Sequence, residues 1–157
     1  MTRAGLIAVA TAGHVGLLSG AFGFQLAGYA PCAMCLWQRW PHAAAILLGI
    51  LALAGIAPRL TAALAGVAAL TSAGIGAFHA GVERGWWEGP SSCTGGGDLG
   101  GLSGSDLLST KIADTVVMCD EIVWQFAGLS MAGWNAVLSL ALVGVWIFAV
   151  WRKPTKR

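Results

Sequence analysis

The sequence predicts an all-α membrane protein: one bundle of four transmembrane helices with two loops on its outer side, the second carrying a short surface helix. Three observations carry that class. The 157 residues are 57% hydrophobic and only 10% charged, with a mean hydropathy of +0.73, whereas a soluble domain carries about 25% charged residues. Such a chain cannot cover a water-facing surface. Its apolar residues gather into four segments, at about 4–28, 37–57, 60–82 and 133–151, and about 20 apolar residues span a bilayer. All seven acidic residues lie between Glu83 and Glu121, so a single long stretch carries the acidic surface. The net charge is only +2 and forms no basic stripe, so no nucleic-acid partner is expected.

Segment one, residues 4–28, is interrupted only by His14, Gln25 and small polar residues. It is too long for the apolar region of a signal peptide, about 7–15 residues, and so predicts a span. Gly16 and Gly20 have the GxxxG spacing of a helix contact in lipid. Segment two, residues 37–57, would be short if counted from Ala43, so its helix begins within the cysteine- and tryptophan-bearing stretch before it. Pro41 then falls in or near the first turn, where a missing N–H costs little. Ala57-Pro58-Arg59 ends this segment and the third starts at Leu60; a link this short predicts an antiparallel hairpin. Residues 83–132 form the acidic loop, with a Gly/Ser-rich region at 94–105. Inside it, residues 105–113 read as a short amphipathic helix capped by Ser105, with Leu107, Leu108 and Ile112 on one face. It is too short to span and suits the membrane surface. The fourth segment ends in Arg152-Lys153-Pro154-Thr155-Lys156-Arg157. No repeat or second domain interrupts this plan.

With four spans, Arg3, Arg59 and the basic tail share one side, and Arg39, Arg84 and Lys111 the other. The positive-inside rule then makes both termini cytoplasmic and turns the loops at about 29–36 and 83–132 outward. Trp37, Trp40, Trp86, Trp87, Trp124, Trp134 and Trp151 fall near the expected interfaces, as aromatic belts do.

This topology puts all four cysteines outside: Cys32 and Cys35 in the first loop, Cys93 and Cys119 in the second. Disulfides persist in an oxidising compartment. Two structural staples are one reading, but Cys-x-x-Cys closes too short a loop to restrict the unfolded chain much. The same spacing brings two sulfurs within exchange distance, and a helix N-terminus lowers a thiol's pKa. Cys35, nearer the helix start and four residues before Arg39, is the expected thiolate. Cys93 and Cys119 lie on a long loop, which lets one pair approach the other and exchange through a mixed disulfide. No metal is expected: structural zinc sites show two short-spaced pairs, and only one is present here. Leu36 stands where a c-type haem motif needs histidine.

Arg39 is a cation at the lipid boundary between Trp37 and Trp40. A lone arginine there anchors to phosphates. One turn beyond Cys35 it has a second use, supporting the anionic form of a membrane-dissolved electron acceptor. His14 and His42 fall within spans one and two. His79, near the outer end of span three and before Glu83, is at the depth to neighbour the same acceptor.

Cys32-x-x-Cys35 followed by Trp37-Gln38-Arg39, the four-span plan, the Cys93/Cys119 loop and the run from Trp124 to Trp134 together resemble the DsbB family of bacterial disulfide-forming membrane proteins. The resemblance covers nearly the whole chain. It implies an enzyme of the bacterial inner membrane, a quinone-dependent thiol:disulfide oxidoreductase. That enzyme would reoxidise a periplasmic DsbA-like thioredoxin-fold protein and pass the electrons to ubiquinone (or menaquinone). By the resemblance, Cys35 would react with the quinone, Arg39 would support it, and His79 corresponds approximately to a quinone-proximal histidine. Cys93 would be attacked by the partner, with Cys119 as its mate, and a transient Cys32–Cys119 bridge would pass electrons inward. Two other readings stay open. One is a b-type cytochrome bundle with His14 and His79 or His42 as axial ligands; the other is a non-catalytic scaffold with stapled outer loops.

Overall fold

Each long helix starts where a side chain or a proline relieves the unpaired N–H groups of a first turn. The computed structural model describes residues 1–91, 93 and 117–153. Thr2 caps α1 (Arg3–Leu26), its hydroxyl accepting the Gly5 N–H at 3.1 Å. Cys32 caps α2 (Ala33–Leu53), its sulfur accepting the Cys35 N–H at 3.3 Å. Pro58 opens α3 (Pro58–Val82) after a turn in which Gly55 and Ala57 take left-handed φ of 83° and 41°. Ser130 caps α4 (Met131–Trp151) by accepting the Gly133 N–H at 3.1 Å. Just before it, β1 (Gln125–Phe126) pairs antiparallel with β2 (Leu129–Ser130) across Ala127-Gly128. Both turn residues have positive φ, 51° and 78°, which is what a two-residue hairpin requires.

The four segments expected from the sequence are these four helices, with shifted ends. The second is shifted most: α2 runs Ala33–Leu53 against an apolar segment at 37–57, and its start falls within the cysteine- and tryptophan-bearing stretch, as expected. Cys35 is therefore helical, and Pro41 lies inside the helix instead of in its first turn. The cause is the Cys32 cap, which starts the helix one turn earlier. Three helices, α1, α3 and α4, are long and apolar enough to cross a membrane. α2 does not meet that test; Gln38, Arg39, Pro41 and His42 all sit in its first half. The expected surface helix at 105–113 and the Gly/Ser-rich region lie outside the described residues.

The helices form a ring in which α1 packs on α2, α2 on α3, α3 on α4 and α4 on α1. Arg3 closes it at one end, donating from Nε to the Ala149 carbonyl at 3.2 Å and from Nη2 to the Arg152 carbonyl. Both termini are thus at one end and the cysteines at the other. The terminal end is filled mostly by alanine, from α2 Ala45 and Ala52 to α3 Ala62, Ala65 and Ala69, around the fully buried Trp146. Close approach between helices falls at Gly49, where a Cβ would collide with Thr11, and at Gly76, where it would press on Asn135 and the Ala132 carbonyl. A Cβ at Gly16 or Gly20 would meet nothing within 4 Å among the described residues; the helix contact expected of their spacing is absent there, and α1 borders a cavity. Large apolar side chains such as Leu60 (61% exposed) and Phe148 (69%) point outward, a surface suited to lipid.

Candidate active site

The second core of the protein is built around sulfur. Cys32, Met34, Val82, Cys93 and Cys119 are buried together, with Cys35 packed against them. Sequence places these cysteines up to 87 positions apart (119 − 32); the fold brings all four into one cluster. Cys93 and Cys119 form a disulfide with Cα atoms 5.3 Å apart, and the Cys119 N–H donates to the Cys93 carbonyl at 2.7 Å. Cys32 and Cys35 are free thiols with sulfurs 3.1 Å apart.

Both free cysteines precede Trp37, the predicted start of span two. Cys32 is held far below the ordinary thiol range, at about 4. Its shared hydrogen bond with Cys35 is the main cause, aided by His79 and by the Cys35 backbone N–H and opposed by burial. The sequence pointed to Cys35 as the thiolate; the geometry favours Cys32, whose sulfur also has His79 Nε2 3.5 Å away. Cys32 is also the capping residue, so its sulfur receives the first-turn N–H, a smaller contribution than the contacts with the Cys35 thiol and His79.

His79 stands behind Cys32, its Nε2 3.5 Å from the sulfur. Its Nδ1 accepts from Gln38 Nε2 at 3.0 Å. Glu83 Oε1 is 3.9 Å from Nε2. Burial pushes the Glu83 carboxyl up, against the hydrogen bond it accepts from Ser130 Oγ. The sulfurs of Cys32 and Cys35 and a His79 nitrogen lie within 4.8 Å of one another. Those three are donors of the type soft metals take, one short of a closed tetrahedral set; the sequence did not foresee the group because His79 comes from another helix.

On the other side of the pair, Cys35 opens into a cavity of about 470 Å³ between α1, the start of α2, the β-hairpin and α4. Gly16 and Gly20 leave its α1 wall bare, Phe24, Trp124 and Trp134 make it aromatic, and Arg39 lines it. The Arg39 guanidinium is 4.6 Å from the Phe22 ring centroid and donates to Gln25 Oε1 at 2.7 Å and the Ala21 carbonyl at 3.4 Å. Its Nε is buried without a partner among the described residues, a donor that an oxygen in the cavity would satisfy. The hairpin roofs this space: Trp134 Nε1 donates to the Phe126 carbonyl at 3.0 Å, and the Phe24 and Trp124 rings meet at 5.0 Å. His79 is not among the residues lining this cavity; it lines a small adjoining cleft that shares Ala30, Cys35, Val123, Trp124 and Met131 with it. His42 and Asn135 line the larger cavity.

The remaining polar residues form one buried layer between the two cores. His14 and His42 meet Nδ1 to Nδ1 at 2.8 Å. Trp146 Nε1 donates to His14 Nε2 at 3.1 Å, and His42 Nε2 donates to Asn135 Oδ1 at 2.8 Å. With those rings bonded to each other and His79 on Cys32, no two imidazoles face across room for a haem. This geometry argues against the cytochrome reading. Gln38, Asn135 and Trp146 were not anticipated as part of the site. A lone amide in the apolar run of α4 was the available signal for Asn135, since polar groups inside a span are costly and seldom idle; Trp146 offered none.

A family profile described as "Disulfide bond formation protein DsbB" matches residues 3–149. The chain is similar to the disulfide bond formation protein B of Albidiferax ferrireducens, 29% identical over 97% of this chain and 90% of that protein. It is likewise similar to that of Marinobacter nauticus, at 30% over 90% and 88%, and to that of Xanthomonas oryzae pv. oryzae, at 37% over 81% and 78%. No solved structure matches the chain.

Proposed function

The chain belongs to the DsbB family, the membrane disulfide bond formation proteins, and on that premise we propose that it oxidises a periplasmic DsbA-like dithiol protein and delivers the electrons to a membrane quinone. One observation carries the reading. The free pair stands between two partners, with Cys32 packed on the Cys93–Cys119 disulfide and Cys35 facing the cavity that holds Arg39.

Thiol–disulfide exchange supplies the inward path. The partner's thiolate attacks Cys93 and releases Cys119 as a thiolate. Cys119 attacks Cys32 of an oxidised Cys32–Cys35 pair and releases Cys35. The partner's second thiol closes its own disulfide and frees Cys93, which resolves the Cys32–Cys119 bridge. Two electrons have then moved from partner to pair: Cys93–Cys119 is oxidised again, and Cys32 and Cys35 are reduced, the arrangement found here.

The cavity fits a flat ring with an apolar tail, being apolar, aromatic and about 470 Å³. Arg39 would hold an oxygen of the ring through its free Nε–H, and Cys35 would lie beside it. A bound quinone supplies the acceptance of two electrons and two protons. As the electrons leave, Cys32 and Cys35 close to a disulfide, and burial keeps water and competing thiols from the sulfurs. By the same reading α2 is the fourth span, the cysteine end is periplasmic and both termini are cytoplasmic. Purified Cys35→Ser protein, given a dithiol donor and quinone, is expected to reduce no quinone; reduction at the parental rate would overturn the assignment.

A further inference from the structure

Six hydrogen bonds join the fully buried Trp146, in the core beside the termini, to the sulfur of Cys32. Their direction follows from chemistry. An indole N–H only donates, so His14 Nε2 accepts and the His14 proton sits on Nδ1. That Nδ1–H points at His42 Nδ1, 2.8 Å away, which must accept; the His42 proton is then on Nε2, facing Asn135 Oδ1 at 2.8 Å. With its oxygen so engaged, Asn135 turns Nδ2 to Gln38 Oε1 at 2.7 Å. Gln38 in turn presents Nε2 to His79 Nδ1 at 3.0 Å and to the Met34 carbonyl at 3.1 Å. His79 is left with its proton on Nε2, the atom 3.5 Å from Cys32 Sγ. Every donor in the series faces the sulfur.

We propose that Trp146, His14, His42 and Asn135 are positioning residues for the redox pair: they form a polarised chain through the bundle that fixes the His79 tautomer and aims its N–H at Cys32. Aligned hydrogen bonds in a low-dielectric interior strengthen one another, and here the final acceptor is the sulfur that must be an anion to exchange. Ser72 and Ser139 are side branches. Ser72 Oγ lies 3.1 Å from His42 Nε2 and from Asn135 Nδ2, and Ser139 Oγ donates to Asn135 Oδ1 at 3.4 Å. Neither stands in the line. Other titratable groups facing Cys32 are Cys35 on α2, Glu83 beside His79 on α3, and Glu121 in the cleft after Cys119. None of these three, nor His79 itself, is replaced in the test. The inference rests on the proposed redox role of the pair, but the test below uses neither quinone nor partner and so fails or succeeds apart from it.

The experiment is the pH dependence of Cys32 alkylation in the full-length protein in detergent, with the modified residue identified by mass. Trp146→Phe removes the first donor and Asn135→Leu cuts the middle at nearly constant volume; Ser139→Ala removes a buried hydrogen bond off the line. Both chain variants are expected to raise the alkylation midpoint by about half a pH unit or more, about a threefold loss of thiolate below it, with Ser139→Ala unchanged. An unmoved midpoint in Asn135→Leu, with the Cys93–Cys119 disulfide intact, overturns the proposal even if Trp146→Phe does not fold. So does an equal rise in Ser139→Ala, which would mark a general loosening of the interior.

Discussion

A cysteine at a helix N-cap is biased toward its anion, because the unpaired N–H groups of the first turn converge on it. Cys32 adds a second thiol and an imidazole to that bias and sits at about 4. The sign is that of a depressed acid: the folded value lies below the unfolded one. Ionised Cys32 therefore adds stability that is fully present above the ordinary thiol pKa, about 8.5, and is lost as pH falls toward about 4. Reactivity follows the same window. Alkylation of Cys32 should stay level from alkaline pH down through neutrality and decline only as pH nears 4; a midpoint in the ordinary thiol range would contradict the geometry. Arg39 acts at the same scale. Its unpartnered Nε is a charged donor, and such a hydrogen bond is worth about 1.5–3 kcal/mol. Arg39→Ala should raise the apparent KM for quinone by about tenfold or more, as read by steady-state kinetics; an unchanged KM would leave Arg39 a lipid anchor.

Among the elements, α1 is the one whose glycines work by vacancy. A Cβ at Gly16 or Gly20 would meet nothing within 4 Å among the described residues, yet both glycines line the cavity that faces Cys35. A side chain at either position would occupy that cavity without clashing with a neighbouring helix. Gly20→Leu is expected to fold, to keep thiol–disulfide exchange with a dithiol donor, and to raise the KM for quinone; wild-type quinone kinetics would show that the acceptor binds elsewhere. Gly49 and Gly76 are opposite in kind, since backbone and side chains of the adjoining helices fill the space a Cβ would need.

At the level of the molecule, the ring of helices separates the termini from the cysteines by the length of the bundle, with the polar layer between. The proposed topology turns the cysteine end toward the periplasm. Glu88→Cys should react with an impermeant maleimide in intact spheroplasts, and Ile56→Cys, in the α2–α3 turn, only after lysis. The reverse pattern would put Cys32 and Cys35 on the face no periplasmic donor reaches.

The four helices were legible in the sequence because hydrophobicity is a local, additive property, and residues 4–28 or 133–151 display it without knowledge of any neighbour. The Cys-x-x-Cys pair was legible for a like reason: its chemistry needs only three residues' separation. Which sulfur caps the helix was not, because a shift of one turn in the start of α2 decides whether Cys32 or Cys35 receives the first N–H. Nor could the pattern of apolar residues tell an empty face at Gly16 and Gly20 from a packed one. The union of four cysteines in one cluster, and of Trp146, His14, His42, Asn135, Gln38 and His79 in one line, depends on helices that meet only after folding. Composition and spacing settled that this chain enters a membrane and carries thiol chemistry; the packing of α1 to α4 alone settled which atoms face the sulfur, since hydrogen bonds are directional and short while the sequence records only order.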